Sequence, residues 1–374
     1  MRLLVDLSSI PRVDNWDTGL VRYAVSILYG FKDLGIKDVT LLVPAGKAER
    51  FRKEFPDFGL LEFKRFKRIP VLSKPFPRFL LDSLRWKRTI NNSGHDLLFR
   101  PFFGKQFDFW KLNIPFVLTV HDLQIYRTTS FYNSFITKKF LFPRIVRQAK
   151  GIITISDFVK RDLLSFFKDV PESKVTVIHN AVVIPEKTES LPDAGEGPFI
   201  LTVNSLVPYK NVITLLKAFN SIRDIIPHKL IIVGKESRHW NKVLWKYIKD
   251  NRLEEQVILT GHVSDGQLFS LYRNADLFVT TSLMEGFGYS PAEAAIAGTK
   301  VISTRETALP ETTMERVNYY EPATDAGVLA EKILEVLKKD DKEERERISL
   351  IFKEEYDPVT KAREVYDYLE KACL

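Results

Sequence analysis

Short apolar segments alternate with longer amphipathic segments along most of the chain. The first half has six such apolar segments: Leu3 to Val5, VTLLVP (39–44), DLLF (96–99), IPFVLTV (114–120), GIITIS (151–156) and KVTVIHN (174–180). Helix-like segments separate most of them, and the first of these runs from about Gly19 to Leu34. This alternation is typical of a parallel sheet with helices on both faces, so we predict a doubly wound α/β domain.

The composition changes between Pro185 and Pro198, where EKTESLPDAGEG carries acids, Gly and Pro without apolar periodicity. We interpret this segment as an interdomain linker. After it the alternation restarts with the segments PFILTVN (198–204), KLIIVG (229–234), QVILTG (256–261), DLFVTTS (276–282) and TKVIST (299–304). A second α/β domain is therefore predicted, and a helical pattern follows the break at Tyr356-Asp357-Pro358.

The predicted fold is thus α/β, with two tandem Rossmann-like domains, each a doubly wound parallel sheet, facing a cleft. The predicted boundaries are residues 1–185 for the N-terminal domain, 186–197 for the linker, 198–355 for the C-terminal domain, and 356–374 for a helix that packs back on the N-terminal domain. In such sheets ligands bind beyond the carboxyl ends of the strands. The cleft is the natural site.

Composition supports a globular protein. Of 374 residues, 45% are hydrophobic and 28% charged, far from the composition of disordered chains, and the length suits about two domains. The single cysteine, Cys373, excludes an intrachain disulfide or a Cys-based metal cluster, as is typical of a reducing compartment. The longest uncharged stretch, Gly197 to Tyr209, has 13 residues, too few to cross a bilayer, and Asp6 interrupts any signal-peptide apolar region. We expect a cytoplasmic protein.

The positive charge is concentrated in one stretch. Residues 51–90 contain eleven Lys or Arg and four acids, so they carry +7 of the net charge of +8. Aromatic residues interleave with these charges: Phe51, Phe55, Phe58, Phe63, Phe66, Phe76, Phe79 and Trp86. One interpretation is a solvated helix face with phenylalanines in the core. Another is attachment to an anionic membrane surface through Lys64, Arg65, Lys67 and Arg68. Nucleic acid is disfavoured, because no recognised binding motif accompanies the charge.

The segment EGFGYSPAE (285–293) follows a predicted buried strand and opens a helix. Ser290, Pro291 and Glu293 fit the N-cap, N1 and N3 positions, so Ser290 and Glu293 form a capping box in one interpretation. Glu285 lies in the preceding loop, where no cap explains it. Gly286 and Gly288 allow close backbone approach to a ligand, and the free N–H groups of a helix start favour an anion.

EGFGYSPAE, with seven residues between its outer glutamates and AAIAGTKVI after it, resembles the signature of glycosyltransferase family 4, retaining nucleotide-sugar enzymes of the GT-B fold. Further segments resemble that family's blocks in the same order: TGLVRY (18–23), VHDL (120–123), TISDFVKRDL (154–163), VIHNAV (177–182), VPYKNVITLLKAF (207–219) and YRNADLFVTTSLMEGFG (272–288). The resemblance covers nearly the whole length.

The resemblance implies a role for several residues. Glu293 would accept the ribose hydroxyls of the nucleotide, and Glu285 would lie near the donor sugar. Lys210 would neutralise the diphosphate, the main electrostatic task in this reaction. The alternative for Lys210 is a solvated lysine in a turn. The backbone N–H groups of Phe287, Gly288, Tyr289 and Ser290 would cradle the diphosphate.

The resemblance also places two residues of the first half near the donor. His121, at the end of the strand IPFVLTV, would face the donor sugar, and Gly19 would allow the backbone to approach the phosphate. The chain departs from the family in both phosphate loops. Thr18-Gly19 stands in place of Gly-Gly, and Ser205 and Tyr209 stand where the family usually has Arg. Lys235 and Arg238 are candidate substitutes for that arginine.

No metal or cofactor is predicted. The sequence contains no Asp-x-Asp, and its six histidines lack paired ligand spacing. A dinucleotide site is excluded because Pro291 stands where a third glycine would be needed. The resemblance implies a front-face substitution that uses no protein nucleophile, the leaving phosphate helping to deprotonate the incoming hydroxyl.

The function implied is retaining transfer of a hexose or 6-deoxyhexose from a nucleoside-diphosphate sugar to a glycan hydroxyl. Mannose and rhamnose are favoured, with glucose behind them. The expected acceptor is a polyprenyl-linked oligosaccharide in bacterial surface polysaccharide synthesis, such as capsule or O-antigen, which suits an enzyme peripheral on the inner face of the cell membrane. Two alternatives stay open: a nucleotide-sugar 2-epimerase of the same fold, and a non-catalytic nucleotide-sugar-binding module.

Overall fold

The computed structural model describes residues 1–10, 19–65, 75–103, 111–127, 137–189 and 197–374. Thr18, Lys67 and Arg68, together with most of the predicted linker, lie outside these ranges. Contacts group the described chain into two units. The first comprises Met1–Ala181 and Pro358–Leu374, and the second comprises Val182–Asp357.

The first unit contains a parallel sheet. Its described strands are β1 (Leu3–Asp6), β2 (Val39–Pro44), β3 (Gly59–Phe63), β4 (Leu97–Arg100), β5 (Phe116–Val120), β6 (Gly151–Thr154) and β7 (Val175–Val177). Their order is β3-β2-β1-β4-β5-β6-β7. Most are buried over their whole length, as parallel strands covered on both faces are. Strand β3 was not predicted, because its apolar residues stand among charged ones.

The helices of the first unit cover this sheet. They are α1 (Gly19–Asp33), α2 (Ala48–Glu54), α3 (Pro75–Asn91), α4 (Gln124–Arg127), α5 (Phe142–Gln148), α6 (Asp157–Phe166) and, after the second unit, α14 (Pro358–Cys373). Short 3-10 turns span Ala45–Lys47 and Glu172–Lys174, and a π-helical turn spans Thr137–Leu141. Helix α14 packs closely on α1: a Cβ added at Gly30 would lie 2.2 Å from the Cβ of Ala362.

The second unit repeats the plan. Its described strands are β8 (Phe199–Val203), β9 (Lys229–Val233), β10 (Val257–Gly261), β11 (Leu277–Val279), β12 (Val301–Thr304) and β13 (Asn318–Tyr320). They form a parallel sheet in the order β10-β9-β8-β11-β12-β13. The alternating pattern therefore predicted the α/β class and most strands, while the short β13 was not predicted.

Helices again flank the sheet. They are α7 (Val212–Ile222), α8 (Trp245–Asp250), α9 (Asp265–Asn274), α10 (Tyr289–Ile296), α11 (Leu309–Thr312), α12 (Ala326–Leu337) and α13 (Lys342–Glu355). A 3-10 turn spans Pro208–Lys210, and a π-helical turn spans Trp240–Leu244. Helices α7 and α12 pack their apolar faces into one core with β8, β9, β11 and β12.

Each sheet has a point at which the strand order reverses. In the first unit it lies between β1 and β4, and in the second between β8 and β11. The loops after these paired strands leave in opposite directions, and the space between them is where ligands of doubly wound sheets bind. The loop after β8 contains Lys210. The loop after β11 contains the EGFG segment, residues 285–288.

The aromatic residues of the basic stretch lie mostly in the core. Phe51, Phe55, Phe58, Phe63 and Trp86 are each at most 7% exposed. Rings of the first three stack in sequence, with centroids 6.3 Å and 5.6 Å apart. These side chains fit the interpretation in which the phenylalanines belong to the core. They are too deeply buried to contact a membrane interface.

The described cations of the same stretch lie outside that core. Lys64 is exposed, Arg65 is half-buried, and Arg52 forms an exposed ion pair with Glu62 at 3.0 Å. Among the described residues, no helix combines the length and the apolar character required to traverse a bilayer.

Candidate functional site

Two loops of the second unit meet at the carboxyl edge of its sheet. The 3-10 turn after β8 ends at Lys210, and the loop after β11 contains Glu285. Two hydrogen bonds connect them: Thr281 Oγ1 donates to the Lys210 carbonyl (2.9 Å), and the Leu283 amide donates to the Tyr209 carbonyl (2.8 Å). The reversal of strand order brings these loops together although they are far apart in sequence.

The side chains of Lys210 and Glu285 form an ion pair. Lys210 Nζ lies 2.5 Å from Glu285 Oε1, and the two side chains are only 14% and 17% exposed. Such charge-assisted bonds are shorter and stronger than neutral ones. The ammonium also lies 5.5 Å from the ring centroid of Tyr209, a cation–π distance. Lys210 is therefore not a freely solvated turn lysine, and its charge is held at the edge of the sheet.

The turn before α7 is fixed by Asn211. This residue has a left-handed backbone, with φ of 53°, and is 6% exposed. Its Nδ2 donates to the Ala323 carbonyl at 2.9 Å, and its Oδ1 accepts from Thr214 Oγ1 at 2.9 Å. These bonds anchor the end of the Lys210 loop to Ala323 and to helix α7.

Helix α10 starts two residues before the predicted position. Its N-cap is Gly288, with a left-handed φ of 95°, and the helix runs from Tyr289, so Ser290 and Pro291 lie within its first turn. No side chain caps this helix. The capping box predicted for Ser290 and Glu293 is therefore wrong, because the glycine turns the chain into the helix before Ser290 is reached.

Glu293 instead lies in the interior of the unit. It is 2% exposed, and its Oε2 accepts a hydrogen bond from the Tyr272 hydroxyl at 2.9 Å. A carboxylate at such depth needs hydrogen-bond donors to compensate for lost hydration. The tyrosine was not recognised from the sequence. The signal was available, since Tyr272 stands at the head of the YRNAD segment that precedes β11.

The glycine at the N-cap is required by space as well as by conformation. A Cβ at Gly288 would lie 2.7 Å from Leu309 Cδ2. The neighbouring Phe287 is 3% exposed and packs edge-on against the rings of Tyr289 and Tyr356. The side chain of Phe287 thus packs in the core, while the phosphate role predicted for the N–H groups of residues 287–290 stays a prediction.

Three threonine hydroxyls from the end of β12 and the residues after it bond to the loop 282–287. Thr304 Oγ1 donates to the Ser282 carbonyl (2.8 Å), and Thr307 Oγ1 accepts from the Glu285 amide (2.9 Å). Thr312 Oγ1 donates to the Phe287 carbonyl (2.5 Å). These threonines were missed by the sequence analysis, since nothing in their spacing marks them. Their bonds fix the backbone on both sides of Glu285. Lys235 and Arg238, the candidate arginine substitutes, are exposed beyond β9.

In the first unit, His121 follows β5. Its Nε2 lies 2.7 Å from the Pro101 carbonyl, which can only accept, so Nε2 carries the proton. The ring contacts Tyr23 edge-on at 4.7 Å. Burial lowers the pKa of His121 to about 4, against the opposing effect of the bond to Pro101. At neutral pH the imidazole is uncharged, and Nδ1 is available as an acceptor.

Gly19 begins helix α1 and is exposed, while its neighbour Thr18 lies outside the described residues. A buried ion pair missed by the sequence analysis flanks the strand-order reversal of this unit. Arg100 Nε, at the end of β4, lies 3.8 Å from Asp6 Oδ2, at the end of β1, and the side chains are 2% and 5% exposed. The available signal was a charge closing an otherwise apolar strand, in LLVD and in LLFR.

The described ranges contain no cluster of three or more His, Cys, Asp or Glu side chains arranged to hold a metal ion. What the second unit offers is one cation, two carboxylates and a helix start at the same sheet edge. Such a set can bind an anion with the ammonium and the helix start, and can accept hydroxyl hydrogens with the carboxylates.

Two family models match the chain in sequence. The model described as "Glycosyltransferase Family 4" matches residues 18–184, and the one described as "Glycosyl transferases group 1" matches residues 183–350. Together they cover residues 18–350, which include most of both units.

Curated relatives of the chain include bacterial mannosyltransferases. The chain is 30% identical over 188 residues to the O-antigen chain mannosyltransferase RfbU of Salmonella typhimurium, covering 50% of each chain. It is 30% identical over 177 residues to the serotype-specific mannosyltransferase WbdA of Escherichia coli, covering 44% of this chain and 22% of WbdA. The chain thus spans about half or less of the length of these curated relatives.

The fold is shared with solved structures. A glycosyltransferase from Rickettsia africae superposes with a TM-score of 0.72 at 20% identity, covering 99% of this chain and 98% of that one. Anabaena Alr3699/HepE, solved in complex with UDP and glucose, gives a TM-score of 0.72 at 18% identity, with 99% of each chain covered.

Proposed function

Because the chain belongs to glycosyltransferase family 4 and has the GT-B fold, we propose that it is a retaining glycosyltransferase. It transfers a hexose or 6-deoxyhexose from a nucleoside-diphosphate sugar to a glycan hydroxyl. The observation that carries the proposal is the Lys210–Glu285 pair, which lies where the strand order of the second sheet reverses. A cation and a carboxylate held there suit the diphosphate and the sugar of one donor.

Different side chains of the site contact different parts of the donor. Lys210 faces the diphosphate, where its charge stabilises the leaving group as negative charge develops. The N–H groups at the start of α10 add a fixed partial positive charge. Glu293 accepts the ribose hydroxyls. Glu285 exchanges part of its bond to Lys210 for the hydroxyls of the donor sugar.

The chemical step is a substitution on one face of the sugar. The bond between the anomeric carbon and the phosphate oxygen breaks, and the acceptor oxygen bonds to the same face of that carbon. The acceptor proton passes to the departing phosphate. No protein side chain forms a bond to the sugar. His121, uncharged at neutral pH, contributes a hydrogen-bonding edge near the sugar. Charge neutralisation by Lys210 and the helix start makes a metal unnecessary in this proposal.

A thermal-shift screen against GDP-, UDP- and dTDP-sugars tests the donor class. The mannosyltransferases among the relatives support a mannose donor first, with rhamnose next and glucose behind. A matched donor at about 100 times its dissociation constant stabilises by about 2.7 kcal/mol, a shift of several degrees. The matched control is Glu293→Gln, which should lose the shift. If no nucleotide sugar shifts the parent, the donor proposal is wrong.

Turnover and stereochemistry need a second measurement. With the matched donor and a glycan acceptor, the anomeric configuration of the product, assigned from the one-bond C1–H1 coupling in NMR, should be that of the donor. Inversion would contradict the retaining mechanism. Incubation with donor alone separates two other activities: formation of a C2 epimer would show a nucleotide-sugar 2-epimerase, and binding without any turnover would show a binding module.

We also propose a polyprenyl-linked acceptor and a peripheral location on the inner face of the cell membrane. Since the described aromatics of the basic stretch are buried, the contact would rest on the cations Lys64, Arg65, Lys67 and Arg68 and on anionic lipid headgroups. Neutralising these four should abolish sedimentation with vesicles containing phosphatidylglycerol. A matched variant that neutralises Lys217, Lys242, Lys246 and Lys249, which are exposed in the second unit, should sediment as the parent does. Equal sedimentation of both variants would refute the anchor.

A further inference from the structure

Thr307 has a backbone conformation that threonine rarely adopts. It follows β12 in the loop 305–307, and its φ is 56°, in the left-handed region. A branched side chain crowds the backbone there, so a threonine with this φ is under strain, whereas glycine adopts it without steric cost. Strained residues persist only where the surrounding structure holds them, and they cluster at functional sites.

The hydroxyl of this residue has a specific partner. Thr307 Oγ1 accepts the backbone N–H of Glu285 at 2.9 Å, across 22 residues of sequence. Glu285 in turn holds Lys210 Nζ at 2.5 Å. A connected series of bonds therefore runs from the strained residue to both charges of the site.

The turn itself does not call for threonine. The next residues, Ala308 and Leu309, are fully buried and begin helix α11, so the chain has to reverse here, and glycine or asparagine meets that need more easily. What threonine supplies beyond them is a short, stiff hydroxyl with few rotamers. The hydroxyl is directed at the Glu285 amide.

We propose that Thr307 is a positioning residue for Glu285, its left-handed backbone fixing the direction of the hydroxyl that holds the Glu285 amide. This inference rests on the proposed function, since it assigns Thr307 to the placement of a donor-sugar carboxylate. Displacing a reacting group by about 1 Å can cost about 100-fold in rate, so loss of the hydroxyl should lower turnover strongly.

Three variants separate positioning from turn filling. Thr307→Val keeps the shape and removes the acceptor, Thr307→Ser keeps the acceptor, and Thr307→Gly relieves the strain and removes the acceptor. We expect kcat with the matched donor to fall by about 10- to 100-fold in the Val and Gly variants, with Ser within about threefold of the parent. Affinity for the free nucleoside diphosphate should change much less than kcat in all three, because the lost hydroxyl acts on Glu285 directly and on Lys210 only through it. If Thr307 merely fills the turn, the Gly variant will be as active as the parent, and the proposal is overturned.

Two further readouts complete the test. Hydrogen–deuterium exchange of the peptide around Glu285 should speed up at least about tenfold in Thr307→Val and stay parental in Thr307→Ser, since only the first frees the amide. In a Glu285→Gln background, Thr307→Val should add little, as coupled residues do in a double-mutant cycle. An unchanged exchange rate, or additive effects, overturns the proposal. If the parent itself turns over no donor, the proposed function fails, and the exchange measurement still decides whether Thr307 holds Glu285.

Discussion

Lys210 Nζ and Glu285 Oε1 lie 2.5 Å apart although 75 residues separate them in the chain. The two loops that carry them follow adjacent parallel strands, so their meeting is a consequence of strand order. The Glu285 carboxylate is bonded to the Lys210 ammonium, so in the proposed function a donor diphosphate would compete with this carboxylate for the cation.

Replacing Lys210 by Met should lower kcat by about 100- to 1,000-fold. The variant removes the cation that stabilises the leaving diphosphate, and loss of one such group typically costs about 3–4 kcal/mol. Steady-state kinetics with the matched donor measures the effect. Lys217→Met is the matched control, because Lys217 is exposed on helix α7. A Lys210→Met enzyme with parental kcat would remove Lys210 from the mechanism.

Removing the Tyr272 hydroxyl should expose the dependence of Glu293 on it. In Tyr272→Phe the buried carboxylate loses a donor at 2.9 Å. We expect the free energy of unfolding to fall by about 1–3 kcal/mol in urea titrations, the usual cost of an unsatisfied buried group. Nucleotide affinity should fall as well if Glu293 holds the ribose. The control is Tyr247→Phe, whose partly buried hydroxyl accepts only a long bond from Asn220. An unfolding free energy equal to that of the control would contradict the role of this bond.

The lowered pKa of His121 makes stability depend on pH. The imidazole has a pKa of about 4 when folded and about 6.5 when unfolded, so between these values the unfolded chain binds more protons. Stability from this group is present above pH 6.5 and is lost as the pH falls toward 4, by up to about 1.4 kcal/mol per pH unit. Unfolding free energies of His121→Asn, measured across this range, should show a smaller slope than the parent. His95 and His228, whose pKa values burial also lowers, are present in both proteins and cancel. Parallel slopes would contradict the prediction.

Gly288 should tolerate no side chain. In Gly288→Ala the left-handed φ of 95° is strained, and the new Cβ would meet Leu309 at 2.7 Å. Gly298 is a matched control, because its φ is 83° but a Cβ there meets nothing within 4 Å. Both variants should lose the roughly 1–2 kcal/mol expected for a left-handed alanine, and only Gly288→Ala should lose more and fall in activity. Urea titration and donor turnover measure this, and equal losses would show that the contact relaxes.

The buried pair of the first unit should matter more to stability than an exposed pair at a shorter distance. Arg100→Met leaves Asp6 without its cation in a site at most 5% exposed, which typically costs about 3–5 kcal/mol. Arg2→Met removes a pair at 2.8 Å whose arginine is 66% exposed, and it should cost much less, because solvent screens an exposed pair. The two urea midpoints rank the pairs, and the reverse order would refute this assignment.

The amino-acid pattern predicted most of the sheet strands because buried parallel strands are mostly apolar, and that signal is local. It missed β3, whose residues mix with charges. The aromatic residues around it were ambiguous for the same reason: Phe51 and Phe55 stand beside Arg52 and Glu54, and only the packed structure shows which face each occupies.

The site residues that lie in recognisable motifs were predictable from the sequence. The contacts that depend on the folded chain were not. Glu285, Glu293 and Lys210 were identified from segments that resemble the family, and their roles stay predictions. The partnership of Asp6 with Arg100 depends on which strands are neighbours, and the contact of Thr307 with Glu285 depends on a rare φ. Neither property can be read from composition or periodicity.

The position of helix α14 has a consequence for how the protein is made. The first unit includes residues 358–374, yet the whole second unit is encoded before them. On the ribosome, the groove of α1 around Gly30 therefore remains uncovered while the second unit is synthesised and folds. The N-terminal unit can complete its packing only after α14 has emerged, so its final folding step is delayed until late in translation.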